Sequence, residues 1–106
     1  MAKFTTRVEL HSATYSDYET LHAAMERRGF SRQITADDGK TYHLPTAEYN
    51  RDGNLTREQV LDSARDAAAE TGKTFAVLVT ESNGRSWIGL EELAARTQTA
   101  QLRRTW

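Results

Sequence analysis

Phe4, Thr6, Val8 and Leu10 alternate with Thr5, Arg7, Glu9 and His11. A period of two predicts a first strand with one face on a core and the other polar. From "SATYSDYETLHAAMERRGF" onward the period lengthens. Ser16 and Glu19 have the spacing of a capping box, Tyr18, Leu21 and Met25 share a face, and Gly29 follows Arg27-Arg28 as a stop. A helix is therefore expected over residues 15–28. Two β-prone runs come next, joined at Asp38-Gly39, a dipeptide suited to a tight hairpin; Pro45, late in the second run, marks a bulge or an edge.

A second helix is predicted over residues 56–71. Thr56 and Gln59 form a capping box, Leu55 and Val60 stand at the positions of a hydrophobic staple, the interior is rich in Ala, and Gly72 stops it. "TFAVLVTES" then reads as a buried strand, Asn83-Gly84 as a turn, and "SWIGL" as a candidate short last strand. Beyond Leu93 the polar "AARTQTAQLRRTW" loses its period, so residues 94–106 are expected as a frayed or flexible tail to one domain of residues 1–93. The order strand, helix, strand, strand, helix, strand is that of a ferredoxin-like α+β fold, a split β-α-β sandwich with two helices on one face of an antiparallel sheet. The expected core is Phe4, Val8, Leu10, Leu21, Met25, Val60, Leu61, Ala64, Val77 and Val79.

Composition narrows the chemistry. The 106 residues suffice for one core, and 14 Lys+Arg against 15 Asp+Glu leave a formal charge of −1. No global positive field gathers nucleic acid, so any such binding must come from a local patch. With no cysteine, thiol catalysis, thiolate zinc sites and disulfides all drop out. The opening "MAKFTTRVELHS" has neither the apolar core of a signal peptide nor a membrane span, and a cytoplasmic location is expected. There is no Gly-rich phosphate loop, Ser nucleophile elbow or HExxH pair, and no cofactor is expected.

The one stretch resembling a ready-made site is "EYNRDGNLTREQV". With Gly53 at position 6 of a calcium loop, Glu48, Asn50 and Asp52 occupy positions 1, 3 and 5, and Gln59 falls at position 12. A neutral amide cannot supply the bidentate carboxylate that position 12 requires. The stretch is accordingly read as a Gly-punctuated turn from strand to helix, without tight calcium binding. His11, His22 and His43 lack metal-ligand spacing. On the predicted topology, though, His11 and His43 lie on neighbouring central strands, on an open face with Arg7, Glu9 and Tyr49. Such a pair suits metal-independent cleavage of RNA through its 2′-hydroxyl, with Arg7, Arg32 and Tyr49 holding the strand. The competing reading of the same residues is a polar sheet face or a dimer interface.

The runs "FTTRVELHSATYSDYETLHAAMERRGF", "TYHLPTAEYN" and "LTREQVLDSARDAAAETGKTFAVLVTES" resemble the GhoS-type endoribonuclease antitoxins, themselves related in fold to small CRISPR-associated nucleases. The resemblance covers about Lys3 to Leu90 and implies cleavage or binding of a toxin's messenger RNA. Those nucleases carry an acidic metal-binding residue at the end of the first strand, where this chain has His11-Ser12, so no catalytic residue is carried over. The alternative is a non-catalytic homodimeric protein-interaction module of phage or mobile-element origin. Two helices leave one sheet face and the sheet edges uncovered, so a homodimer is expected in either case, with Arg7 of one chain facing Glu9 of the other.

Overall fold

A computed structural model of the chain describes residues 2–93, so the predicted tail at 94–106 lies outside the described residues. The elements are β1 (Ala2–Leu10), α1 (Tyr15–Arg27), β2 (Gln33–Thr35), β3 (Thr41–His43), β4 (Glu48–Gly53), α2 (Arg57–Ala69) and β5 (Phe75–Ser82). β1 lies at the centre of an antiparallel three-stranded sheet of order β4-β1-β5, and β2 and β3 pair as a separate hairpin. This is an α+β fold in the split β-α-β arrangement, as expected. The fourth strand of that arrangement is reduced to one point: Ser31 and Asn50 exchange two backbone hydrogen bonds of 2.8 and 2.7 Å, joining the hairpin to β4.

The alternation in β1 is realised residue by residue. Phe4, Thr6, Val8 and Leu10 are buried under the helices, whereas Lys3, Thr5, Arg7 and Glu9 face the other side. From α1 come Leu21, Ala24 and Met25, and from α2 come Val60, Ala64, Ala67 and Ala68. Alanines on α2 let it approach closely, and Arg27, the last residue of α1, and Arg28 after it bind Glu70 at the end of α2. Val77 and Val79 are only partly buried, and Leu61 is 40% exposed on the outer side of α2. Phe30 and Tyr49 complete the core in place of Leu61.

Three boundaries depart from the sequence reading. α1 is capped by Thr14, with Asp17 at N3, and not by Ser16 with Glu19. Asp17 accepts both the Thr14 N–H at 2.9 Å and its hydroxyl at 3.1 Å, and Lys73 lies 3.7 Å from the same carboxylate. The earlier box thus satisfies more donors, and the helix starts there. α2 keeps its predicted Thr56–Gln59 box but ends at Ala69, ahead of Gly72. "SWIGL" forms no strand; after β5 the chain instead runs on to bridge β3 at Tyr42↔Glu92.

The larger correction concerns Glu48–Gly53, which is not a turn but β4, the strand beside β1. The "TYH" run belongs to the hairpin, so His43 is not on a central strand. Glu48 and Asp52, four residues apart along an extended strand, are about 13 Å apart, too far to share one ion with oxygen bonds of about 2.5 Å. Gln59, the would-be twelfth ligand, is occupied by the helix cap, its Oε1 accepting the Thr56 N–H at 2.9 Å.

Thr6 is fully buried beside Tyr49 across the ladder, and among the described residues its hydroxyl has no hydrogen-bond partner. A buried unpaired hydroxyl is costly, whereas Val has the same shape without it. Thr6→Val is expected to raise unfolding free energy by about 1 kcal/mol in urea titrations. Val8→Ala is expected to lower it by about 1–3 kcal/mol, and Leu61→Ala to shift it by less than about 0.5 kcal/mol.

Candidate functional site

The two histidines expected to act together are carried by different sheets, His11 following β1 and His43 ending β3. His11 lies just past β1, its N–H donating to Thr74 O at 2.9 Å, its Nδ1 3.2 Å from Thr74 Oγ1 and its Nε2 3.6 Å from Glu9 Oε1. His43 ends β3, exposed, with its N–H donating to Glu91 O at 2.9 Å. Acid and base work on one phosphodiester needs both groups within reach of it, and this topology does not place them as neighbouring central-strand residues. Arg7 is where it was expected, exposed on the open face opposite Glu48 and Leu78.

Tyr49 is on the opposite side from the one expected. It is paired with Thr6 and fully buried under α1, so it cannot stack on a base. A buried phenol needs a partner, and it finds His22, whose Nδ1 is 2.7 Å from the Tyr49 oxygen. Tyr18 lies one turn before His22 on the same face of α1, and its hydroxyl accepts the Leu10 N–H at 3.1 Å where β4 has already ended. Arg32 is near enough that its charge acts on both His22 and Tyr49. Burial, then Arg32, holds the His22 pKa below the ordinary histidine value, and burial pushes the Tyr49 phenol up. Both therefore stay neutral near pH 7, the phenol donating to an unprotonated Nδ1.

The open face holds a different constellation. Residues 83–93 leave β5, cross this face and pair with the outer edge of the hairpin through His43 N to Glu91 O and Leu93 N to Thr41 O, at 2.9 and 2.7 Å. The crossing is tied down by Arg85, whose Nη1 donates to Asn50 Oδ1 at 2.7 Å and Thr5 Oγ1 at 3.2 Å. Those two acceptors sit side by side on β4 and β1. Trp87 follows and meets Tyr42 edge-on at 5.4 Å between ring centroids. Between this strap, the start of β1 and the hairpin lies a cleft of about 830 Å³ lined by Lys3, Ile34, Asp37, Glu81, Arg85 and Trp87.

Arg85 is half-buried, and its fixed contacts are with neutral acceptors; among the described residues it forms no ion pair. Burial lowers its pKa while Asp52 nearby opposes that, and a guanidinium stays charged regardless. The cleft thus presents a positioned cation, a second cation in Lys3, and an indole. Sequence reasoning missed Arg85, Asn50 and Thr5, because nothing in "SNGRSW" announces that the chain doubles back over the sheet. His22 was visible only as the i+4 neighbour of Tyr18 on the apolar face of α1. No known family model matches the chain, and no curated protein is similar to it.

The burial of His22, with the charge of Arg32 beside it, makes stability depend on pH. Since the folded pKa of His22 lies below its unfolded value of 6.5, the contribution is fully present above that value. It is lost as pH falls from about 6.5 through the folded pKa, because the half-buried ring must then carry a charge that burial and Arg32 disfavour. The urea midpoint is expected to fall between pH 7 and pH 5, and to fall less in His22→Gln; equal slopes in the two proteins would refute the assignment.

Proposed function

We propose that the chain binds single-stranded RNA in the cleft beneath the strap, in the manner that its resemblance to GhoS-type antitoxins acting on a toxin messenger RNA implies. The observation that carries this reading is Arg85, a half-buried guanidinium held by neutral Thr5 and Asn50 at the wall of a cleft that also contains Lys3 and Trp87. A guanidinium suits the phosphate, and the indole offers a face on which a base can stack. Because Asp37 and Glu81 flank the same cleft, the interface is short and its electrostatics local. Arg85, Lys3 and Trp87 are what favour binding in this reading; for cleavage, the expected histidines follow β1 and end β3 and offer no pair on neighbouring strands. The uncovered edge of β5 favours a second reading, the non-catalytic homodimeric interaction module, which remains if no RNA binds.

Fluorescence anisotropy with a labelled single-stranded RNA tests the first reading. Saturable binding is expected in the ordinary non-specific range, with Kd about 1–100 μM. Two phosphate contacts, from Lys3 and Arg85, predict that log K falls with log salt at a slope of about −1.4. Trp87→Ala, checked for an unchanged circular dichroism spectrum, is expected to weaken binding at least about fivefold. No change in anisotropy up to about 100 μM protein sinks the RNA reading and leaves the interaction module.

A further inference from the structure

β5 is the longest strand with a free side. Along it, Ala76, Leu78, Thr80 and Ser82 stand opposite Glu9, Arg7, Thr5 and Lys3. Thr74 O accepts the N–H of His11, the next residue in that series, so these residues exchange the bonds with β1. The N–H and C=O groups of Phe75, Val77, Val79 and Glu81 therefore point away from the sheet. Among the described residues nothing pairs with them, in contrast to the hairpin edge, which residues 91–93 cover. Leu78, in the middle, is 64% exposed on the open face. An edge with five apolar residues in a row, no proline, and its one charge, Glu81, near the far end is the kind that sheet proteins normally protect.

We propose that this edge is covered by β5 of a second copy, antiparallel, about a two-fold axis at Leu78. The free groups must pair with one another, which axes at Val77, Leu78 and Val79 all allow; the exposed Leu78 chooses the middle one, pairing Val77 with Val79, Phe75 with Glu81, and each Leu78 with its counterpart. Leu78 then falls at a non-hydrogen-bonded position, where side chains approach most closely, so the exposed leucines cover one another. Ala76 meets Thr80 on the same face, and no two like charges are opposed. Lys73, 3.7 Å from Asp17 of its own chain, comes diagonally near Glu81 of the other copy, itself 4.0 Å from Arg57, so opposite charges and not like ones meet at each end. An axis two residues along, at Thr80, would leave Leu78 opposite Ser82 and shorten the overlap. The result is one six-stranded sheet running through both molecules. Arg7 lies on central β1, where an edge contact does not reach it, so this dimer does not use the Arg7–Glu9 contact expected from the sequence. The inference does not rest on RNA being the ligand.

Light scattering at about 100 μM, a concentration at which weak pairs associate, should give a mass of about 24 kDa, twice the 12.0 kDa of one chain. Leu78→Lys, at an exposed site that leaves the fold intact, should return it to the monomer mass. The absence of cysteine provides a second readout: oxidised Leu78→Cys should form a disulfide-linked dimer on a non-reducing gel, and Thr80→Cys should not. A monomer mass for the unmodified chain overturns the proposal. So does a dimer that survives Leu78→Lys, or one that crosslinks as readily through position 80 as through 78.

Discussion

Everything on the open face depends on a hydrogen bond on the other side of the sheet, between Tyr49 and His22. β4 is a polar strand, and Tyr49 is its only fully buried residue. Its burial gives β4 a reason to lie beside β1, and its phenol is tolerated there because it is hydrogen-bonded to His22. A slip of one residue would turn Tyr49 outward and Asn50 into the core, so this contact fixes the register. With the register fixed, Asn50 stands beside Thr5 to receive Arg85, and its backbone holds Ser31 at the root of the hairpin. Strap, hairpin and cleft all follow from the placement of one side chain.

The sequence made some of this legible and hid the rest, for physical reasons. β1, β5 and the two helices are stated by their own periodicity, and the Thr56–Gln59 cap by its spacing. The α1 cap was misplaced because two boxes overlap there; the Thr14–Asp17 box closes reciprocally, and Lys73, a residue distant in sequence, adds a charge beside Asp17. β4 was read as a turn because a strand with one buried residue has hardly any alternation to show, and its Asn-Asp-Gly invites a loop reading. Gly53 does serve the turn, with φ of +156°, but only at the strand's last residue. Gly29 was identified correctly as a stop; at φ of +88° it also leaves room for the Arg51 guanidinium, which a Cβ would meet at 3.1 Å.

The candidate site was less legible than the fold. Of the residues expected to act on RNA, Arg7 is on the open face, Arg32 is beside the His22–Tyr49 pair, His11 and His43 are in separate places, and Tyr49 is in the core. Each error descends from assigning the "TYH" run to the central sheet, because one strand exchanged for another carries its whole set of side chains with it. Arg85 was out of reach for a different reason. Its role depends on the strap returning across the sheet, a long-range contact with no local periodicity to announce it.

The same strap explains why the two sheet edges differ. A chain emerging from β5 could have folded back along that strand and capped its free edge. Ser82 prevents this locally: its hydroxyl accepts the Gly84 N–H and donates to the Gly84 carbonyl, both at about 3.3 Å or less, turning the chain aside at once. Arg85 then reaches its acceptors on β1 and β4, which directs the segment across the face toward the hairpin. Residues 91–93 arrive at the outer edge of β3 and close it. One segment cannot cap both the outer edge of the hairpin and the free edge of the three-stranded sheet. The contact that builds the cleft therefore also leaves β5 bare, so the cleft on the face and the free edge have a common origin.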